Sequence, residues 1–137
     1  MAETTKPIPK PPERDRPYWD GALEGKLVLP KCTRCGWMTR RLELVCPKCQ
    51  NESFVWTELS GRATIYTYAV ARQTTTQGFE DDVPFVVVQA SIEEQPELCI
   101  ATNLIGDYDI DTLDLGLPLV FTTEERGDVK LPQFRLA

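Results

Sequence analysis

Two short stretches, Cys32-Thr33-Arg34-Cys35 and, ten residues on, Cys46-Pro47-Lys48-Cys49, give the spacing C-x2-C-x10-C-x2-C. A two-residue spacer lets both thiolates of one knuckle face a single ion while backbone amides turn toward the sulfurs. Two such knuckles on neighbouring turns complete a tetrahedral four-thiolate site through Cys32, Cys35, Cys46 and Cys49. With all four positions filled by protein, no place is left for water, so the expected metal is structural. Zinc is the default occupant, and iron is the alternative because four thiolates also suit a rubredoxin-type centre. Two disulfides would require an oxidising compartment. A thioredoxin-like redox pair would need one C-x-x-C in a βαβ setting, and this pattern is different.

Outward from the knuckles, the pattern is mainly β. Lys26-Leu27-Val28-Leu29 leads into the first knuckle as a strand, and Phe54–Leu59 leaves the second as another. After Gly61 come runs rich in β-branched and aromatic residues: Thr64–Ala71, Phe85–Ile92, Leu98–Leu104, Leu119–Thr123 and Val129–Phe134. Gly, Pro, Asn and Asp stand between them. A short helix is expected over Asp109–Leu115. Five strands with one helical connection between the third and fourth fit a small closed barrel of the OB type. Tyr66 and Tyr68 are expected on one face, from strict strand alternation.

Ahead of the knuckles, five of the eleven prolines fall in the first seventeen residues, which predicts an extended arm. Asp15 is placed to cap a helix whose first turn tolerates Pro17 and which Gly25 stops. Tyr18, Trp19, Ala22 and Leu23 recur at helical spacing. That helix either covers the edge of the domain or docks on a partner chain through Tyr18 and Trp19. The resulting division is an arm and docking helix over 1–25, a zinc ribbon over 26–60 and a five-stranded OB-fold barrel over 61–137.

Composition excludes several functions. Histidine is absent from the 137 residues, so no Ser-His or Cys-His nucleophile pair can form within the chain. No apolar run approaches the roughly 18 residues of a spanning helix, and the N-terminus carries no apolar signal core, so a cytoplasmic chain without a membrane role is expected. The net charge of −6 is uneven. Residues 1–60 carry ten basic against eight acidic residues, whereas residues 61–137 carry five against thirteen. That excess of acid opposes nucleic-acid binding, although ribbons and OB folds both serve it elsewhere and Tyr66, Tyr68 and Phe85 could stack bases. Lys31, Arg34, Arg40, Arg41 and Lys48 cluster near the cysteines. They either offset the charge of a four-thiolate site or hold the phosphates of a nucleotide-like ligand. Cys99, alone in an apolar strand, reads as a small hydrophobe.

The chain resembles the domain-of-unknown-function-35 family along nearly its whole length from Pro17. The resemblance rests on Tyr18-Trp19, Cys32/Cys35-Gly36, Cys46-Pro47/Cys49, Leu59-Ser60-Gly61, Val83-Pro84-Phe85, Leu115-Gly116-Leu117-Pro118 and Leu131-Pro132-Gln133-Phe134. It implies a rubredoxin-like zinc ribbon joined to an acyl-CoA-associated OB fold. It also implies a non-catalytic subunit that docks on a thiolase-superfamily partner and shapes an acyl-CoA site shared at the interface. Pro84 and Phe85 are the candidate lining of that pocket, with ordinary core packing as the alternative for Phe85. Two departures stand out. Met38–Glu43 lacks the proline and aromatic residues often found between the knuckles, and Gln50 occupies a position where glycine is common.

Overall fold

The computed structural model of the chain describes residues 6–137, so the first five residues of the expected arm lie outside the described residues. From Lys6 the arm runs extended along the chain's own barrel. Arg126 donates to the Pro7 carbonyl at 3.3 Å, and Lys6 pairs with Asp82. A single 3-10 turn over Glu13–Asp15 leads into α1 (Arg16–Leu23), with Pro17 in its first turn, where a missing N–H costs nothing. Gly25, at φ +76°, ends the helix in the left-handed conformation that only glycine adopts cheaply. Asp15 does not cap α1 with its side chain as the sequence suggested. Its carboxylate is turned instead to Arg41 of the ribbon, which donates to it at 2.9 and 3.1 Å.

The ribbon is a two-stranded antiparallel sheet, β1 (Val28–Cys32) and β2 (Phe54–Glu58), with Cys32 opposite Phe54. Helix α1 lies close on it. A Cβ at Gly21 would stand 2.6 Å from Val28 Cγ2, so this contact requires a glycine.

The remaining strands are β3 (Arg62–Ala71), β4 (Phe85–Ile92), β5 (Cys99–Asn103), β6 (Pro118–Arg126) and β7 (Val129–Leu136). They form one antiparallel sheet in the order β5-β4-β3-β6-β7. A parallel bridge between Leu104 and Phe134 joins its two edges, and the Ile105 N–H donates to the Phe134 carbonyl at 3.0 Å. This order and closure make the nearly closed five-stranded barrel of an OB fold.

Strand β4 alternates without a fault, with Val86, Val88, Ala90 and Ile92 buried. Strand β3 does not. Its register with β4 shifts between Ile65 and Thr67, so the buried series Ala63, Ile65 resumes one step late at Tyr68. Tyr66 is consequently 65% exposed, whereas Tyr68 is half-buried and donates to the Leu113 carbonyl at 3.2 Å. The shared tyrosine face expected from strict alternation does not form. The helix expected over Asp109–Leu115 is one 3-10 turn, Ile110–Thr112, with the Asp109 side chain accepting from the Asp111 N–H. Three of those seven residues are aspartates with no apolar group to bury, so little packing extends the turn.

One apolar core passes from α1 through the ribbon into the barrel. It includes Tyr18, Leu29, Met38, Ile65, Val88 and Ile100. Phe134, fully buried, packs edge-on against Phe121 with ring centroids 5.8 Å apart. Buried Gln95, in the β4–β5 connection, ties the ribbon to the barrel. Its Oε1 accepts from the Met38 N–H at 2.9 Å and its Nε2 donates to the Met38 carbonyl at 2.8 Å. Among the described residues no helix is long and apolar enough to cross a membrane.

Candidate metal centre

The knuckles are tight turns whose amides point at their own first sulfurs. Arg34 N–H donates to Cys32 Sγ and Lys48 N–H to Cys46 Sγ, each at 3.4 Å. The second knuckle closes through Gln50 N–H to the Cys46 carbonyl at 2.9 Å. That closure puts Gln50 at φ 66°, the only positive φ found at a non-glycine among the described residues. The left-handed backbone explains why glycine suits this position and marks Gln50 as a strained substitute.

The four sulfurs converge. All lie within 4.8 Å of one another, and the Cys32–Cys49 and Cys35–Cys46 pairs stand at 3.6 Å. A thiolate tetrahedron around an ion at about 2.3 Å has sulfur spacings of about 3.8 Å, whereas a disulfide needs about 2.05 Å. All five cysteines are free. The donor set therefore fits a tetrahedral thiophilic ion.

The protonation states lean the same way. Burial pushes the Cys32 thiol up, but the Cys35 and Arg34 amides, the Asn51 side chain and the Cys49 sulfur together bring it down to about 6. Burial likewise raises Cys46, and the Cys49 and Lys48 amides outweigh it, so this thiol is also lowered. At Cys35 the Trp37 amide favours the thiolate, yet burial and hydrogen bonding with the Cys46, Cys49 and Cys32 sulfurs hold it at about 11. Each knuckle thus supplies one thiol already disposed to ionise, which is the form a metal takes. Cys99 lies apart, and burial raises its thiol, as befits a packing residue.

The basic cluster is largely committed elsewhere. Arg41 pairs with Asp15, Arg40 stacks on the Tyr18 ring at 4.3 Å, and Lys48 lies 4.4 Å over the Trp37 ring. The groups that reach the sulfurs are backbone amides and one side chain, Asn51, which the sequence reading did not single out. Only its place two residues after Cys49 could have drawn notice. Gln95, 57 residues from Met38, carried no local signal at all.

Of the helix aromatics, Tyr18 is turned into the core at 3% exposure, and Trp19 stays half-buried against it. Trp19, with Leu23, Pro11 and Val129, lines a groove of about 200 Å³ between α1 and the β6–β7 turn. Pro84 and Phe85, at the start of β4, line two cavities of about 620 and 490 Å³ that share Gly106 and Tyr108 as a wall. Pro84 is exposed, and Phe85 is half-buried against Phe79, with centroids 5.6 Å apart.

Residues 56–122 match the family described as "ChsH2, C-terminal OB-fold domain". The chain is 30% identical over 126 residues to a probable enoyl-CoA hydratase alpha subunit of Thermomonospora curvata, covering 90% of this chain and 38% of that one. It is 31% identical over 87 residues to a DUF35 domain-containing scaffold protein of Methanothermobacter thermautotrophicus, covering 63% of this chain and 62% of that one. It therefore spans less than two-thirds of the length of either relative. Among solved structures, a chain of the Ltp2-ChsH2(DUF35) aldolase superposes with a TM-score of 0.81 at 26% identity, over 94% of this chain and 98% of that one. A four-cysteine ribbon leading into an OB barrel, with these relatives on both parts, places the chain in the domain-of-unknown-function-35 (DUF35) family.

Proposed function

We propose that this chain is a non-catalytic accessory subunit of a thiolase-like enzyme that forms or cleaves a carbon–carbon bond in an acyl-CoA. The observation that carries the reading is the end-to-end likeness to a chain of the Ltp2-ChsH2(DUF35) aldolase, 98% of which is covered. The chain's own chemistry supports it. It has no histidine, and its cysteine cluster has no open coordination position.

In this reading Cys32, Cys35, Cys46 and Cys49 hold one zinc ion, with iron as the alternative that metal analysis distinguishes. The ion supplies a structural cross-link and no bond-making chemistry. The arm and helix (1–25) and the ribbon (26–60) meet the partner, while the barrel (61–137) closes the acyl-CoA site through Pro84 and Phe85. Trp19 offers the docking contact, and Tyr18, inside the core, sets the orientation of the helix that presents it. The assembly works in the cytoplasm.

Co-expression with each thiolase-like protein of the source genome in turn, followed by size-exclusion chromatography, tests the reading. One complex containing both chains is expected. Trp19→Ala should weaken it by about 2 kcal/mol while metal content stays at one ion per chain. Separate elution of the wild-type chains in every pairing would overturn the docking proposal.

A further inference from the structure

Apart from the cysteines themselves, Asn51 is the residue among those described that hydrogen-bonds to both Cys32 and Cys46. Its backbone carbonyl accepts from the Cys46 N–H of the second knuckle at 2.8 Å. Its side-chain Nδ2 turns back to the first knuckle, 3.5 Å from Cys32 Sγ, 3.0 Å from Thr33 Oγ1 and 3.0 Å from the Ser53 carbonyl. The Ser53 carbonyl in turn accepts from the Thr33 N–H at 3.1 Å, so the amide is held from two sides. Cys32 and Cys46 are the two most deeply buried of the four cysteines, at 2% and 0% exposure. Water therefore contributes little to their alignment, and internal donors must do it.

We propose that Asn51 is a positioning residue of the metal centre, fixing the Cys32 thiolate with its side chain and the second knuckle with its backbone. This rests on the reading that the four cysteines hold a metal. Two physical effects follow. Donation to a ligating sulfur removes charge from a site that carries two net negative charges with a divalent ion, and the fixed amide sets which lone pair of Cys32 faces the ion. The two N–H protons of Asn51 face three acceptors, so taking away Thr33 Oγ1 should leave the sulfur its donor. Taking away the amide should not.

The test uses the full chain loaded with zinc and, separately, with cobalt(II). Zinc affinity is read by competition with a chromophoric chelator, and the thiolate-to-cobalt charge-transfer band is read by absorption. Asn51→Ala should weaken zinc about 10- to 100-fold and move the charge-transfer band to lower energy, because an unbonded thiolate is the better donor. Asn51→Asp has the same shape but lacks the donor, and it should weaken zinc at least as much. Thr33→Val should stay within about twofold of the wild type with its band in place. If both Asn51 variants bind within twofold and leave the band unmoved, the proposal is wrong while the metal reading stands. A wild-type chain that takes up neither ion overturns both.

Discussion

Replacing Gln95 by alanine tests how the ribbon is held on the barrel. The wild-type amide satisfies both main-chain groups of Met38, at 2.9 and 2.8 Å, and is itself buried. Met38 is 5% exposed, so truncation leaves a donor and an acceptor with neither protein nor bulk water to meet them. Each orphaned group costs about 1–3 kcal/mol. The pair therefore costs about 2–6 kcal/mol, nearer the lower end if a water fills the space left by the side chain. Urea unfolding followed by tryptophan fluorescence is a suitable assay, because Trp37 adjoins Met38. Gln95→Glu refines the argument. A carboxylate still accepts from Met38 N–H but opposes the Met38 carbonyl, and protonation restores the lost donor. Its deficit should therefore shrink as pH falls, while that of Gln95→Ala should not. A loss below about 0.5 kcal/mol for Gln95→Ala, the size of an ordinary surface change, would refute the clamp.

Three further outcomes are expected. Cys46→Ser should abolish metal binding and expose the ribbon amides to hydrogen exchange while β3–β7 stay protected, because site formation stabilises so small a unit; full metal content would contradict this. Gln50→Gly should raise stability by about 0.5–1 kcal/mol, the relief of a left-handed glutamine less the added freedom of the unfolded glycine, and a drop in the melting temperature would oppose it. Burial holds the Tyr18 hydroxyl above its ordinary value, with Arg40 opposing and Asp15 adding. The folded chain then keeps this proton longer than the unfolded one, so the stability is complete below about pH 10 and declines as pH rises through the folded value; Tyr18→Phe should flatten that alkaline decline.

The parts of the fold written in local pattern were legible before any coordinates. Phe85–Ile92 is the clearest case, because a run of β-branched residues in the barrel's second strand leaves no alternative to a strand. The cysteine spacing was equally direct, since two-residue spacers encode the knuckle geometry themselves. Strand β6 ran further than expected because Thr122–Arg126 is polar and is held by its partner strand rather than by its own apolar pattern, and β7 gained Arg135 and Leu136, which pair with Val120 and Leu119. The bulge at Tyr66, the turn of Asp15 toward Arg41 and the Gln95 clamp all depend on residues distant in sequence. Periodicity cannot see such contacts. The helix aromatics show the same limit. Spacing put Tyr18 and Trp19 together, but only the packing of α1 against β1 and β7 decided that one is buried and the other half-exposed.

In the proposed function this chain contributes to acyl-CoA chemistry without performing it. The most direct measurement is acyl-CoA turnover by the isolated 137-residue chain, by a thiolase-like protein that co-elutes with it, and by their reconstituted complex at equal concentrations. The account predicts no turnover by this chain alone and more by the complex than by the partner alone. Turnover by the isolated chain, or a partner whose rate is indifferent to its presence, would contradict it.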